Sequence, residues 1–269
     1  MMPDPIRLRN GLCRFGWLSA PWQGIYNNLV LQQSPPSWIL AVPSLTIENY
    51  VKTIYLISTR QQEQPVATGQ LADALGVSPG TVTSMAKTLS ETGLAEYKPY
   101  GGLHLSRSGR RLAMRIIRRH RLIETFLVQT LKLNWDEVHD EAENMEHAVS
   151  DLLIDRIDEF LGFPTSDPHG DPIPTADGTI IPSEGVSLDQ LSPGTTFRLV
   201  RVLDQTSGFL QDLSRDGLSI ESEGVVRQNE GSFTVEIGKK QLTLAPEKAS
   251  KLLVQVVVPK RSERARGPA

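Results

Sequence analysis

The chain has 269 residues, 39% of them apolar and 22% charged, enough to bury real cores in about two domains at roughly 100–200 residues each. No apolar run approaches the roughly 18–20 residues that a bilayer demands, which excludes a membrane-spanning helical protein, and the composition excludes a wholly disordered one. The single cysteine, Cys13, excludes an intrachain disulfide framework and a multi-thiolate zinc site, so any metal must be held by nitrogen and oxygen. The net charge of −3 hides a basic stretch from Lys87 to Arg121 followed by an acidic one from Glu124 to Asp171.

Residues 1–42 carry Trp17, Trp22, Trp38 and scattered prolines without a sustained period, and are read as a poorly ordered extension. Their apolar segment is too broken for a secretory signal, so a cytoplasmic location is expected. From Leu45 to Ser58, apolar residues recur at helical spacing and predict an amphipathic helix. Thr68 is expected to cap a short helix with a Leu71, Ala72 and Leu75 stripe, stopped by Gly76. Ser78 caps the next, with Pro79 in its first turn and Val82, Met85, Ala86 and Leu89 facing inward until Gly93. Two short helices about a tight turn form a helix-turn-helix. Leu94–Pro99 and Leu103–Ser106 then read as strands around Tyr100-Gly101-Gly102, a wing whose Lys98, Tyr100 and His104 can reach phosphates or a groove. Residues 43–107 are thus a winged helix-turn-helix domain.

Residues 108–165 are expected to hold three helices, Ser108 to about Lys132, Trp135 to Val149, and Ser150 to Leu161 before Gly162 and Pro164. Residues 166–185, rich in Pro, Gly and Asp, read as a linker. Residues 186–259 show short β-rich pieces at Thr196–Leu203, Gly217–Ile220, Phe233–Ile237, Lys240–Leu244 and Leu252–Val258, a small SH3-like barrel. Residues 260–269 form a basic tail. The fold class is mainly α with a small β domain.

Three of the five histidines fall on the long helices beside carboxylates. His120 and Glu124 are one turn apart, and His139, Glu143, Glu146 and His147 follow one stripe. Packed side by side, these faces suit a divalent cation such as Mn(II) or Fe(II). The plain alternative is a set of solvated helix-surface pairs. No H-E-x-x-H motif, nucleophile elbow or P-loop marks a reaction, so an enzyme is not expected. Ser78, Thr81, Thr83, Ser84 and Lys87 on the recognition helix should face the major groove of double-stranded DNA, with phosphate contacts from Lys87, Lys98 and Arg107.

The stretch from Pro43 to Pro174 resembles the diphtheria-toxin-repressor and manganese-transport-regulator family of metal-dependent transcriptional repressors. The resemblance lies in Gln70-Leu71-Ala72-Asp73-Ala74-Leu75-Gly76-Val77-Ser78-Pro79-Gly80-Thr81-Val82-Thr83, Arg119-His120-Arg121-Leu122-Ile123-Glu124, Val138-His139-Asp140-Glu141-Ala142-Glu143-Asn144-Met145-Glu146-His147 and Pro168-His169-Gly170-Asp171-Pro172-Ile173-Pro174. It implies an ancillary metal site at His120, Glu124 and His139, and a primary site at Glu143, Glu146 and His147. Glu143 stands where iron-type members have a cysteine and manganese-type members a glutamate, which favours Mn(II) over Fe(II). Where the family sets a methionine or aspartate from the first helix into the primary site, this chain has Asn49, whose amide oxygen can ligate. One turn later, in place of the manganese-type glutamate, stands Lys52, which cannot ligate while protonated. The resemblance further implies a C-terminal FeoA-like domain, with Asp204 its nearest candidate ligand. It also implies a homodimer through the Leu152, Leu153, Ile157 and Phe160 stripe, binding a palindromic operator of metal-uptake genes. Two other readings stay open: a metal-binding enzyme or ferrous-transport accessory protein acting through the SH3-like domain, and a metal-independent winged-helix regulator.

Overall fold

In the computed structural model, which describes residues 45–257 apart from 183 and 229–232, the apolar period that begins at Leu45 forms helix α1 (Leu45–Arg60). The expected extension at 1–42 and the tail at 260–269 lie outside the described residues. Helix α2 (Thr68–Leu75) is capped by Ala67 rather than Thr68: the Gln70 side chain reaches back to accept the Ala67 backbone N–H at 3.0 Å. Gly76 closes the helix in the left-handed conformation (φ 64°), as glycine does best. Ser78 caps α3 (Pro79–Glu91), its hydroxyl accepting the Thr81 N–H at 3.1 Å. Strands β1 (Ala95–Lys98) and β2 (Gly102–Leu105) make the antiparallel wing. Gly102 (φ 86°) lies so close to the Val66 carbonyl that an added Cβ would meet it at 2.8 Å.

Helix α4 (Arg107–Phe126) starts one residue before the expected Ser108, because Ser106 caps it by accepting from Gly109 N. It is the spine of the molecule. Its first half buries Ala113, Met114, Ile116 and Ile117 in the winged-helix core, and its second half buries Leu122 and Ile123 in the helical core. It ends in a wider turn, Leu127–Leu131. Helix α5 is shorter than the expected span from Trp135, covering Val138–Met145, and α6 (Asp151–Phe160) is capped by Ser150. Trp135 is pulled out of the helix by the C-terminal domain: its indole packs on that domain's core and donates to Ser214 Oγ at 2.8 Å.

The segment read as a linker is not a free connection over its first half. Asp167, His169, Gly170, Pro172, Ile173 and Pro174 are all buried. Gly170 adopts φ 84° where a Cβ would meet the Val200 carbonyl oxygen at 2.0 Å, so the loop is pressed onto the next domain. That domain is one antiparallel six-stranded sheet in the order β3-β8-β4-β5-β6-β7, from β3 (Val186–Ser187), β4 (Thr196–Val202), β5 (Glu223–Gln228), β6 (Phe233–Ile237), β7 (Lys240–Leu244) and β8 (Leu252–Val256). Helix α7 (Ser207–Asp216) and the one-turn α8 (Pro246–Ala249) cover its core. The expected strand at Gly217–Ile220 is absent: Gly217 is the left-handed cap of α7, and the Leu218 N–H donates back to Leu213 O. Among the described residues no helix is long and apolar enough to cross a membrane.

Candidate metal centre

Helices α1, α4 and α5 and the 167–171 loop converge on a cavity of ≈ 430 Å³ lined by Asn49, Lys52, His120, Glu124, His139, Glu143 and Asp167, among others. Three groups of potential ligand atoms lie together around it: His120, His139 and Glu143; Glu143, Glu146 and His147; and Glu124, Asp167 and His169. Within each, the ligand atoms lie within 4.8 Å of one another. The side chains expected from α4 and α5 are therefore brought together, and the solvated-pair alternative fails for most of them. Glu124 and Glu146 are 1% and 0% exposed; His139 and Glu143, their side chains 47% and 37% exposed, keep a water-facing edge.

His120 is the hub. Its Nδ1 lies 2.6 Å from Glu146 Oε2, and its Nε2 lies 3.0 Å from Glu124 Oε1 and 3.2 Å from His139 Nδ1. Burial alone would lower its pKa, but the Glu124 charge and the hydrogen bonds to Glu124 and Glu146 outweigh burial and raise it from 6.5 to about 9. An imidazolium there donates to both carboxylates. Burial pushes the Glu124 pKa up, yet the His120 charge and the hydrogen bonds of His120 and His139 win and hold it well below the ordinary carboxylate range.

His147 donates from Nδ1 to Glu48 Oε2 at 2.6 Å, which leaves Nε2 as the lone-pair nitrogen, 3.2 Å from Glu146 Oε1 without hydrogen-bond geometry. A carboxylate behind an imidazole fixes its tautomer and strengthens it as a ligand. Asn49 Oδ1 is buried with no hydrogen-bond partner, as a ligand-ready oxygen would be. In the middle of this group, however, sits the ammonium of Lys52. Its Nζ lies 2.5 Å from Glu143 Oε1, 2.9 and 2.8 Å from the two Glu146 oxygens and 3.3 Å from His120 Nδ1. Burial tends to raise the Glu143 pKa, but the Lys52 charge and hydrogen bond lower it overall.

The third group was not foreseen as ligands. His169 is 0% exposed, and its Nε2 meets the Trp135 carbonyl oxygen at 2.7 Å. A carbonyl only accepts, so Nε2 carries the proton and Nδ1 is a bare lone pair. That Nδ1 is buried without a partner, 3.8 Å from Glu124 Oε2 and 3.9 Å from Asp167 Oδ1. Asp167 Oδ1 is oriented by the backbone N–H groups of His169 (2.8 Å) and Asp171 (3.0 Å). Burial first, then the Glu124 and Asp171 charges, push the Asp167 carboxyl well above its usual range, against the pull of Arg121. An acid beside a carboxylate and a free imidazole nitrogen is a site where a cation can take the place of a proton. The sequence signal was the Asp167-x-His169 spacing within an irregular Pro/Gly segment. Asp204 is not part of the centre: its carboxylate is engaged by Lys251 at 2.7 Å and Thr206 at 2.8 Å.

On the winged helix, Ser78, Thr81, Ser84, Lys87, Lys98 and Arg107 are exposed, and Thr83 is half-buried with its hydroxyl donating to the Pro79 carbonyl. The Ser78 hydroxyl is spent on the cap and on Thr81 Oγ1 at 2.8 Å. Tyr100, at the wing tip, is fully exposed. Leu152, Leu153 and Phe160 are exposed on one side of the helical domain, whereas Ile157, expected in the same stripe, is buried in its core.

A winged helix-turn-helix joined through one shared helix to a buried cluster of imidazoles and carboxylates defines a DNA-binding protein with a cation site. Family models for the iron dependent repressor N-terminal DNA binding domain, the iron dependent repressor metal binding and dimerisation domain, and the FeoA domain match residues 44–103, 106–175 and 186–256. The chain belongs to the diphtheria-toxin-repressor and manganese-transport-regulator family of metal-dependent transcriptional repressors, a family of DNA-binding proteins and not of enzymes. It is 37% identical over 118 residues to an HTH-type transcriptional regulator of Methanocaldococcus jannaschii, covering 44% of this chain and 94% of that one. It is 35% identical over 129 residues to the iron-dependent repressor IdeR of Mycobacterium tuberculosis, covering 48% of this chain and about half, 55%, of that one. A solved manganese-dependent transcriptional repressor in complex with manganese matches with a TM-score of 0.69 and 39% identity, over 78% of this chain and 100% of that one.

Proposed function

We propose that the chain is a metal-dependent transcriptional repressor that binds operator DNA when Mn(II) or Fe(II) is sufficient and so controls metal-uptake genes. One observation carries the metal half of this reading: the buried, unpartnered Nδ1 of His169 aimed at Glu124 and Asp167. A fully buried imidazole nitrogen without a partner is costly, and its tautomer is already set for ligation by the Trp135 carbonyl. When bound, a divalent ion supplies the positive charge that two facing carboxylates lack. Two carboxylate oxygens and one imidazole, with His120 and His139 beside them, form a hard, oxygen-rich donor set that suits Mn(II) better than a softer metal.

The DNA half rests on where the ligands sit. His120 and Glu124 lie on α4 where the winged-helix core gives way to the helical core, so fixing them fixes the angle between the two. Thr81, Ser84 and Lys87 are the exposed side chains from which we expect major-groove contacts, with Lys98 and Arg107 on phosphates; Ser78 serves mainly as the cap. A two-fold dimer through Leu152, Leu153 and Phe160 would set two recognition helices on half-sites about one helical turn apart.

The test is fluorescence anisotropy on DNA from upstream of the chain's own gene, at moderate fixed salt, with and without Mn(II) or Fe(II). Metal-stimulated binding is expected. Equal binding with and without metal would leave a metal-independent regulator, and no binding in either condition would end the repressor reading.

A further inference from the structure

The Glu143–Glu146–His147 group, which the family pattern marks as a metal site, does not fit a divalent ion in this chain. Its centre is taken by Lys52, whose Nζ is within 2.5–2.9 Å of three carboxylate oxygens. Those are contact distances for charge-assisted hydrogen bonds, and they fill the positions where a cation would collect the same oxygens. One further feature points the same way. Asn49, which lines this cavity from α1, offers a neutral oxygen where an anionic ligand would strengthen cation binding. A divalent ion at Glu143 and Glu146 would therefore have to displace a buried ammonium that both carboxylates hold, 3.3 Å from the His120 ring.

We infer that Lys52 is a tethered cation standing in for one metal ion, so that each subunit takes a single divalent ion, at Glu124, Asp167 and His169. The consequence reaches the DNA-binding domain. Lys52 belongs to α1, which builds the winged-helix core, and Glu143 and Glu146 belong to α5 and the turn that follows it. The link between the two that a second ion would make on demand is made here permanently by a side chain. Half of the clamp is always closed, and only the Glu124–Asp167–His169 half responds to metal. This rests on the metal-responsive reading above for the class of ion, and on the Lys52 geometry for everything else.

The experiment is to count ions without DNA. Full-length protein, stripped of metal, is titrated with Mn(II), and free Mn(II) is followed by its paramagnetic resonance signal. The wild type should bind one ion per subunit, and that ion should be lost in Asp167→Asn. Lys52→Glu, which removes the ammonium and adds a carboxylate, should bind a second ion, and Lys52→Met should show a weaker second site. Circular dichroism checks that each variant is folded, and Lys52→Met guards against a folding defect in Lys52→Glu. Hydrogen exchange on metal-free protein supplies a readout independent of metal: α1 amides should exchange at least about tenfold faster in Lys52→Met, one decade of opening equilibrium. Two ions in the wild type, the second lost in Glu146→Gln, would overturn the inference. So would folded Lys52 variants that gain no ion. A correct count of one ion with no metal-stimulated DNA binding would instead end the repressor reading and leave the tethered lysine standing.

Discussion

Leaving a buried polar atom unpaired costs on the order of 1–3 kcal/mol, and the centre contains such atoms at His169 Nδ1, His147 Nε2 and Asn49 Oδ1. Of these, His169 Nδ1 is the one an ion at Glu124 and Asp167 would satisfy, and it predicts where substitution hurts. Replacing His169 with Gln removes the ligand nitrogen while keeping a polar group near the Trp135 carbonyl, and it should weaken Mn(II) binding by about 100-fold or more, since even outer groups of metal sites cost 10–100-fold. Isothermal titration of the variant checks this; an unchanged affinity would place the ion elsewhere. The charges of the centre give a second prediction. His120 has its pKa raised from 6.5 to about 9, so its stabilisation is fully present below pH 6.5 and is lost as pH rises through 9. The shift corresponds to about 3 kcal/mol, and urea unfolding of metal-free protein should show a loss of that order between pH 6 and pH 10, absent in His120→Gln. Asp167, also raised, must lose its proton to ligate, so metal binding should release protons and tighten as pH rises; titration in buffers of different ionisation enthalpy counts them. At this scale the sequence was informative where helical spacing carries meaning. His120 with Glu124, and Glu143 with Glu146 and His147, sit on stripes whose partners can be named without a structure. For Asp167 and His169 it offered only a short spacing that no period links to a partner, and it was silent on Glu48, whose role depends on His147, 99 residues away in sequence.

Elements were legible where local physics decides them. The α3 cap, the Gly76 stop and the two-strand wing all follow from the conformational preferences of Ser, Pro and Gly, which act within a few residues. They failed where a tertiary contact overrides the local pattern. Trp135 fits the period of α5 but lies outside the helix, because its ring stacks on His169 with centroids 6.0 Å apart and its Nε1 reaches Ser214. Helix α7 was missed because Phe209, Leu210 and Leu213 make too short a stripe to stand out in a β-rich region, and Gly217-Leu218, which ends it, looks like the start of a strand. The loop at 167–171 is the element on which the centre most depends, and Gly170 is its weakest point. At φ 84° with backbone 2.0 Å from the place of a Cβ, Gly170→Ala combines a strained conformation with a steric clash. Each strained residue costs about 1–3 kcal/mol, so the variant should lose at least that much stability and most of its Mn(II) affinity, because Asp167 and His169 move with the loop. Chemical unfolding and metal titration of the same sample check both; a stable variant that still binds metal would show that the loop is not the scaffold.

Across the whole molecule the centre is a junction rather than a pocket of one domain. Helix α4 is shared between two cores, Lys52 ties α1 to α5, and Asp171 is gripped from both sides, by Arg121 of α4 at 2.9 Å and Arg201 of β4 at 2.5 Å. The FeoA domain thus reaches the metal loop through Asp171 and through Trp135 on His169, without lending the Asp204 carboxylate. On the proposed function, metal and DNA act on one equilibrium. Whatever factor Mn(II) contributes to operator affinity, the operator must return to Mn(II) affinity, because linkage between two binding sites is reciprocal. The factor should fall in the usual range of about 5–150-fold, and the permanent Lys52 link places it toward the low end, since part of the ordering is already present without metal. Titrating Mn(II) against the protein alone and against the protein saturated with operator gives one measure of the factor, and operator binding with and without Mn(II) gives the other. Equal factors above unity are expected. If the operator leaves Mn(II) affinity untouched, the cluster at Glu124, Asp167 and His169 stabilises the fold without reporting to the recognition helix.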